Sequence, residues 1–426
     1  MLARRAMDDD EQLLVEVEMG NWSGVKKMLA RGTKADGSRE LSYRPLMAAA
    51  KYGYVRIMKQ LLAKGASVDA KTTKDGRDPC GRANTIPCGT HALHGASFSG
   101  KVEALNVLLE AGANPNATDS EGYTALMGVC SEQGVPTTRL AMVQTLLDAG
   151  ANPDASSSIG MTALHMAASS DSTTEVLDLL YSRAPNTLNR ITVEGVAPLL
   201  TAAQHGREKA VAKLVALGAT DGVLTLQGSS ALLAAVQQKH LGVLRILLGS
   251  AKARNAVGGI NLIPQAMGLA VAIKGRTAAK MLQLLIDVEG EARQRHWAGM
   301  DLGEEGTILH ASAAFASLGG THVLLAAGAN EEELNADGGR ASSCVGAAFP
   351  CCERDSNLER ALCRMLERGP AFRARSWLWP RHADAPDGKV VTPVNRVPLG
   401  VRIYRATDRR FLSKRFDRYS MKHLAG

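Results

Sequence analysis

Thr90-His91-Ala92-Leu93-His94-Gly95-Ala96 leads through Gly100 into a segment with Val102, Leu105, Leu108 and Leu109 on one helical face, which stops at Gly112. The chain then crosses Ala113-Asn114-Pro115-Asn116 and Asp119-Ser120-Glu121-Gly122. It restarts with Thr124-Ala125-Leu126-Met127, 33 residues after Leu93. A threonine ahead of an apolar run suits a helix N-cap, because its hydroxyl accepts a hydrogen bond from a free backbone amide. Alanines in the first helix let neighbouring helices approach, and the leucines of the second supply the buried stripe. Gly112 stands where a helix ends in a left-handed conformation, and Asp119 to Gly122 has the chemistry of a tight turn. One such pair of helices cannot cover its own apolar face, so copies are expected to stack on both sides.

The copies are there. Positions equivalent to Leu93 recur at Leu13, Leu46, Leu126, Leu164, Leu199, Leu232, Met267, Leu309 and Cys344. The steps between these ten anchors are 33, 47, 33, 38, 35, 33, 35, 42 and 35 residues, so most stay near one period. Leu61-Leu62, Leu108-Leu109, Leu146-Leu147, Leu179-Leu180, Leu247-Leu248, Leu284-Leu285 and Leu324-Leu325 repeat the second-helix pair. A closing Gly-Ala returns at Gly65, Gly112, Gly150, Gly218 and Gly328. Leu109 and Leu147 are expected in the core.

This pattern resembles the ankyrin repeat, with its period of about 33 residues and its Thr-Pro-Leu-His-x-Ala start. The resemblance implies an all-α solenoid of about ten helix-turn-helix units with β-hairpin loops, covering residues 8–370. The weakest units are those around Met267 and Cys344. The longest insertion is expected at residues 72–89, with shorter ones near Gly134 to Thr138 and Gly290 to Gly303. The resemblance also implies that His94, and His165 and His310 at the same repeat position, hydrogen-bond within the scaffold. Asn116 resembles the asparagine that oxygenases hydroxylate in some ankyrin proteins; its structural reading is a loop asparagine tolerating left-handed geometry.

The pattern stops after Gly369-Pro370. Residues 371–426 hold thirteen Lys or Arg against four Asp, a net of +9, whereas residues 1–370 hold 37 basic and 38 acidic side chains. All the excess positive charge therefore belongs to this extension. It also carries Phe372, Trp377, Trp379, Tyr404, Phe411, Phe416 and Tyr419, more aromatics than a solvated spacer needs. Arg402, Arg405, Arg409, Arg410, Lys414 and Arg415 are the candidates for contacting phosphates or acidic side chains. The competing role is to cover the end of the last repeat.

Catalysis is not expected. The chain offers no Gly-rich phosphate loop, serine elbow or paired-carboxylate setting, and an extension of 56 residues is small for a catalytic domain. No cofactor is implied. The one metal-like constellation is Cys80, Cys88, His91 and His94, which could surround a tetrahedral zinc. It lacks the close Cys-x-x-Cys pairing of most such sites, so scaffold roles are the expected ones. Seven cysteines, an odd number, point to reduced thiols and a cytoplasmic or nuclear setting. Asp8, Asp9, Asp10 and Glu11 follow the N-terminal arginines at once, against a transit peptide. No apolar run reaches the roughly 18 residues of a membrane span.

The expected function is binding: a protein-interaction scaffold or adaptor. In ankyrin-like stacks the hairpin tips and first helices line the concave side, which names the candidate partner-binding positions. Aligned by anchor these are Ser120, Glu121 and Tyr123; Ser157, Ser158 and Met161; Val193, Glu194 and Val196; and Leu226, Gln227 and Ser229. Tyr123, Met161, Val193, Val196 and Leu226 form the expected apolar stripe, with Tyr123 as its anchor. The alternative is an anchor to nucleic acid, an acidic membrane or a filament through the basic extension. A lesser one, a ubiquitin-ligase substrate adaptor, comes from Leu358 to Leu366 with Cys363, which resembles an adaptor box with its leucine-to-cysteine spacing off by one.

Overall fold

The computed structural model describes residues 8–37, 43–72, 88–131, 136–170, 174–220, 225–226, 228–250, 262–273, 276–287, 307–315, 317–335, 338–345, 362 and 366. They divide into two compact units, with the boundary between Leu217 and Gly218.

In the first unit the helices come in pairs: α1 (Asp9–Glu18) and α2 (Trp22–Ala30), α3 (Pro45–Tyr52) and α4 (Val55–Ala63), α5 (Ala92–Phe98) and α6 (Val102–Glu110). Then follow α7 (Ala125–Cys130) and α8 (Pro136–Asp148), α9 (Ala163–Ser169) and α10 (Thr174–Arg183), α11 (Pro198–Gln204) and α12 (Glu208–Ala216). First helices pack on first helices and second on second, giving two parallel rows. The first row is close-packed through small residues. Ala48, Ala49 and Ala50 in α3, Ala167 and Ala168 in α9, and Ala202 and Ala203 in α11 are all buried. The second row is held by the leucine stripe, including Leu61, Leu105, Leu108, Leu146, Leu177, Leu180 and Leu214. Leu147 is buried as expected, but Leu109 is only half-buried. Within α6 the inward arc is Ala104, Leu105, Val107 and Leu108, and Leu109 falls at its rim.

The second unit repeats the arrangement. It pairs α13 (Ala231–Gln237) with α14 (Leu241–Gly249), α15 (Ile263–Ala272) with α16 (Arg276–Asp287), and α17 (Ile308–Ala314) with α18 (Leu318–Ala326). A 3-10 turn, Ala341–Cys344, packs on α17 where the Cys344 unit begins. Met267, the least obvious anchor, is fully buried in α15.

The helix starts are chemically varied. Thr124 and Ser230 accept the amides of Met127 and Leu233, and Pro45 and Pro198 open α3 and α11 with φ already set. In the stretch around Leu93 the N-cap is His91, not Thr90. Thr90 lies one residue earlier, its amide donated to the Thr72 hydroxyl. Successive pairs are joined by hairpin tips closed by single antiparallel bridges, Thr118 with Thr124 and Ser156 with Thr162, and Leu334 with Arg340 in the second unit.

Candidate protein-interaction surface

The tips are built by a device that recurs in both units. A small polar side chain accepts the amide four residues on: Asp119 from Tyr123, Ser157 from Met161, Thr192 from Val196, Thr225 from Ser229 and Asn335 from Gly339. Asp119 also takes the Glu121 amide at 2.9 Å, and burial holds its carboxyl above the usual carboxylate range. This acceptor was missed in the sequence. Its signal is a polar residue four positions before each pre-helix residue, visible only when the units are aligned by their tips.

Neighbouring tips are then bonded to one another. The Ser120 amide donates to the Cys88 carbonyl at 2.8 Å, Ser158 to Glu121 at 2.8 Å, and Val193 to Ile159 at 3.0 Å. Gly122 (φ +81°) and Gly160 (φ +84°) make this spacing possible. A Cβ on Gly122 would lie 3.0 Å from the Ser158 nitrogen, and one on Gly160 3.0 Å from Thr192 Cα. Backbone groups at the tips are thus committed to the stack, and the side chains between them are left to face solvent.

The buried histidines complete the scaffold. His94 Nε2 lies 2.9 Å from the Tyr123 carbonyl, His165 Nε2 3.1 Å from that of Val196, and His310 Nε2 3.1 Å from that of Gly339. On the other ring nitrogen, His94, His165 and His310 accept the amides of His91, Thr162 and Thr307. An amide donor at Nδ1 requires a lone pair there, so the proton sits on Nε2 and the rings are neutral. Burial lowers the pKa of His94 and of His165 to about 4.

These bonds correct several expected site residues. Tyr123 and Val196 are 9% and 6% exposed, not part of an open stripe. Each precedes a helix N-cap, where its carbonyl is caught by the preceding unit's histidine and its amide by the tip acceptor, which draws the side chain inward. Ser157 is buried because it is itself a tip acceptor. Ser120, Glu121 and Ser158 are exposed, and Met161, Glu194 and Ser229 are half-buried. Val193 is 69% exposed and has Ile191, 42% exposed, two residues before it. In the second unit Leu226 is 82% exposed. Gln227 lies outside the described residues, as do Arg402, Arg405, Arg409, Arg410, Lys414 and Arg415.

Of the zinc constellation, the structure describes Cys88, His91 and His94. His94 has both ring nitrogens committed, and Cys80 lies outside the described residues; Cys88 and His91 are half-buried. Among the described residues no cluster of three metal-ligating side chains occurs. Cys130 is fully buried in α7, and burial raises its thiol to about 12. Cys363 and Leu358 of the adaptor-like segment are also outside the described residues, whereas Leu362 and Leu366 are buried.

A further ladder runs along the loops after the second helices. Asp36 accepts the Ser67 amide at 2.8 Å, Asp69 the Asn114 amide at 3.1 Å, and Asn116 the Asn152 amide at 2.7 Å. Asn116 also donates to the Gly150 carbonyl at 2.9 Å. It has no left-handed backbone; its role is to tie one repeat to the next. At the next step the amide's place is taken by Pro185, which has no N–H, and Asp154 pairs with Arg190 and Asn186 instead.

Paired helices in two rows, bonded hairpin tips and a buried histidine at the helix start define the class as a helical repeat fold. The Ankyrin repeats (3 copies) family model matches residues 13–119 and again residues 93–190. Residues 13–190 of the chain therefore carry ankyrin repeats, as the sequence pattern leads one to expect. It is 38% identical over 109 residues to zinc finger CCCH domain-containing protein 24 of Oryza sativa subsp. japonica, covering 25% of this chain and 11% of that protein. It is 30% identical over 107 residues to ankyrin repeat and SOCS box protein 3 of Bos taurus, covering 25% and 18%. A putative E3 ubiquitin-protein ligase, XBAT34 of Arabidopsis thaliana, is 31% identical over 124 residues, covering 29% and 30%. The chain therefore spans less than a third of each of these relatives. Among the described residues no helix is long and apolar enough to cross a membrane.

Proposed function

We propose that this chain is a non-catalytic interaction scaffold, with a repeat array over residues 8–370 that binds a protein partner through its hairpin tips and first helices. The observation that carries this reading is the division of labour at the tips. Their backbone groups bond to neighbouring tips, while Ser120, Glu121, Ser158 and Val193 project unpaired surface that differs from unit to unit. Such positions vary without damage to the core, and so they suit partner selection. Ile191 and Val193 are the apolar centre of the surface in the first unit. The reading has the protein act in a reducing compartment, the cytoplasm or nucleus, in keeping with an odd number of cysteines. The test is affinity capture with the intact chain, followed by binding measurements on I191E/V193E. A loss of about tenfold or more at unchanged melting temperature is expected, and full affinity rejects the tip surface.

A second reading rests on charge. The net +9 of residues 371–426 suits an anionic polymer or surface, with Arg402, Arg405, Arg409, Arg410, Lys414 and Arg415 as contacts. Deleting those residues should then abolish heparin or oligonucleotide binding, and the binding should fall steeply with salt. A third, ubiquitin-ligase adaptor, takes its support from the names of two relatives, an ankyrin repeat and SOCS box protein and a putative E3 ligase. Co-purification with ligase subunits tests it.

A further inference from the structure

We infer that the groove between α14 and α16 in the second unit is a docking site for an acidic amphipathic segment of a partner protein, on the second-helix row and separate from the tips. The groove encloses about 300 Å³ and is lined by Leu241, Arg245, Lys280, Gln283 and Leu284. Leu241 and Leu284 are half-buried and form its apolar floor, while Arg245, Lys280 and Gln283 are exposed at its rim.

One junction of the first unit is strapped across its outer edge. Between α10 and α12, Asp178 and Lys213 form an ion pair with Oδ2 and Nζ 2.6 Å apart. Asp178 stands two residues before the buried Leu180, and Lys213 one before the buried Leu214. Counted from the buried Leu247 and Leu285, those two places in α14 and α16 belong to Arg245 and Leu284. The acid is replaced by a cation and its partner by a leucine, so the strap is lost and the leucine floor is left open. Gln283 turns away to hold Asp287 at 2.8 Å. Among the described residues neither Arg245 nor Lys280 is engaged in an ion pair.

The groove's chemistry selects its occupant. Two cations on opposite walls of an apolar slot favour a ligand with an aliphatic or aromatic side chain flanked by carboxylates. A short helix with an apolar face and acids at its margins meets both demands, since residues three and four apart share one face. A basic segment is repelled at both walls, and a purely acidic one leaves the leucines wet.

The experiment uses the full-length chain and a fluorescent peptide of about twelve residues alternating Glu and Leu at helical spacing, carrying one photo-reactive benzoylphenylalanine at a Leu position. Cross-links should map to α14 and α16, and R245E/K280E should weaken binding about tenfold or more at unchanged melting temperature. L284D, which keeps the cations, should weaken it as well. Cross-links confined to residues 371–426, affinity unchanged in R245E/K280E, or equal binding of a polyglutamate peptide without leucine would each overturn the inference.

Discussion

The proton on His94 Nε2 bridges 2.9 Å to the backbone oxygen of Tyr123, so one repeat's first helix holds the entrance to the next. His165 does the same for Val196. Each ring also accepts a backbone amide on Nδ1, which only the neutral form can do, and burial lowers each pKa from about 6.5 to about 4. Below pH 6.5 the unfolded chain takes these protons and the folded one resists them, so stability is full above that pH and falls as pH drops toward 4. The loss approaches about 3 kcal/mol per histidine at the acid end of the window. Urea midpoints at pH 7 and 4.5 measure it, and H94Q/H165Q should flatten the difference.

Gly122 and Gly112 should respond differently to alanine. Both have positive φ, +81° and +85°, but only Gly122 has a neighbouring tip within 3.0 Å of the new Cβ. Gly112→Ala should cost about 1 kcal/mol of backbone strain, and Gly122→Ala about 2–3 kcal/mol as the Ser158 contact is pushed apart. Equal melting shifts would mean that tip stacking adds nothing.

The two leucines of α6 should also separate. Leu108 is fully buried and Leu109 half-buried. Leu108→Ala is expected to cost about 2–5 kcal/mol, and Leu109→Ala roughly half as much. Chemical denaturation followed by circular dichroism makes the comparison. Because each unit leans on its neighbours, Leu108→Ala should also broaden the transition.

Tyr123→Ala is expected to behave as a stability variant. The side chain is 9% exposed, so its truncation should cost about 2–4 kcal/mol, and binding at the tips should survive where the protein stays folded. I191E/V193E should show the reverse, with unchanged melting. A melting temperature for Tyr123→Ala equal to that of the parent would return the residue to the surface.

Asn116→Ala removes a bond in each direction, to the Asn152 amide and the Gly150 carbonyl. It should cost about 1–2 kcal/mol. Asn116→Asp keeps the acceptor and loses the donor, so its cost should be about half. Hydrogen exchange at the Asn152 amide reads the acceptor half directly.

The spacing of Leu46, Leu93, Leu126, Leu164 and Leu199 was enough to determine paired helices recurring near one period with local insertions, because a helix face is a local property of residues 3–4 apart. The resemblance carried by Leu93-His94 and its copies pointed to ankyrin repeats and to the internal role of the histidines. Tertiary structure decided which side chains at the tips reach solvent. Tyr123 and Val193 read alike in the sequence, both apolar and both within two residues of a tip glycine. One is drawn in because a histidine from the preceding unit holds its carbonyl, while the other is left 69% exposed beyond its bond to Ile159. The open groove beside Arg245 was equally invisible, since it depends on which residue of α16 stands opposite. Contacts between units about one repeat apart are non-local, and no pattern within a single unit specifies them.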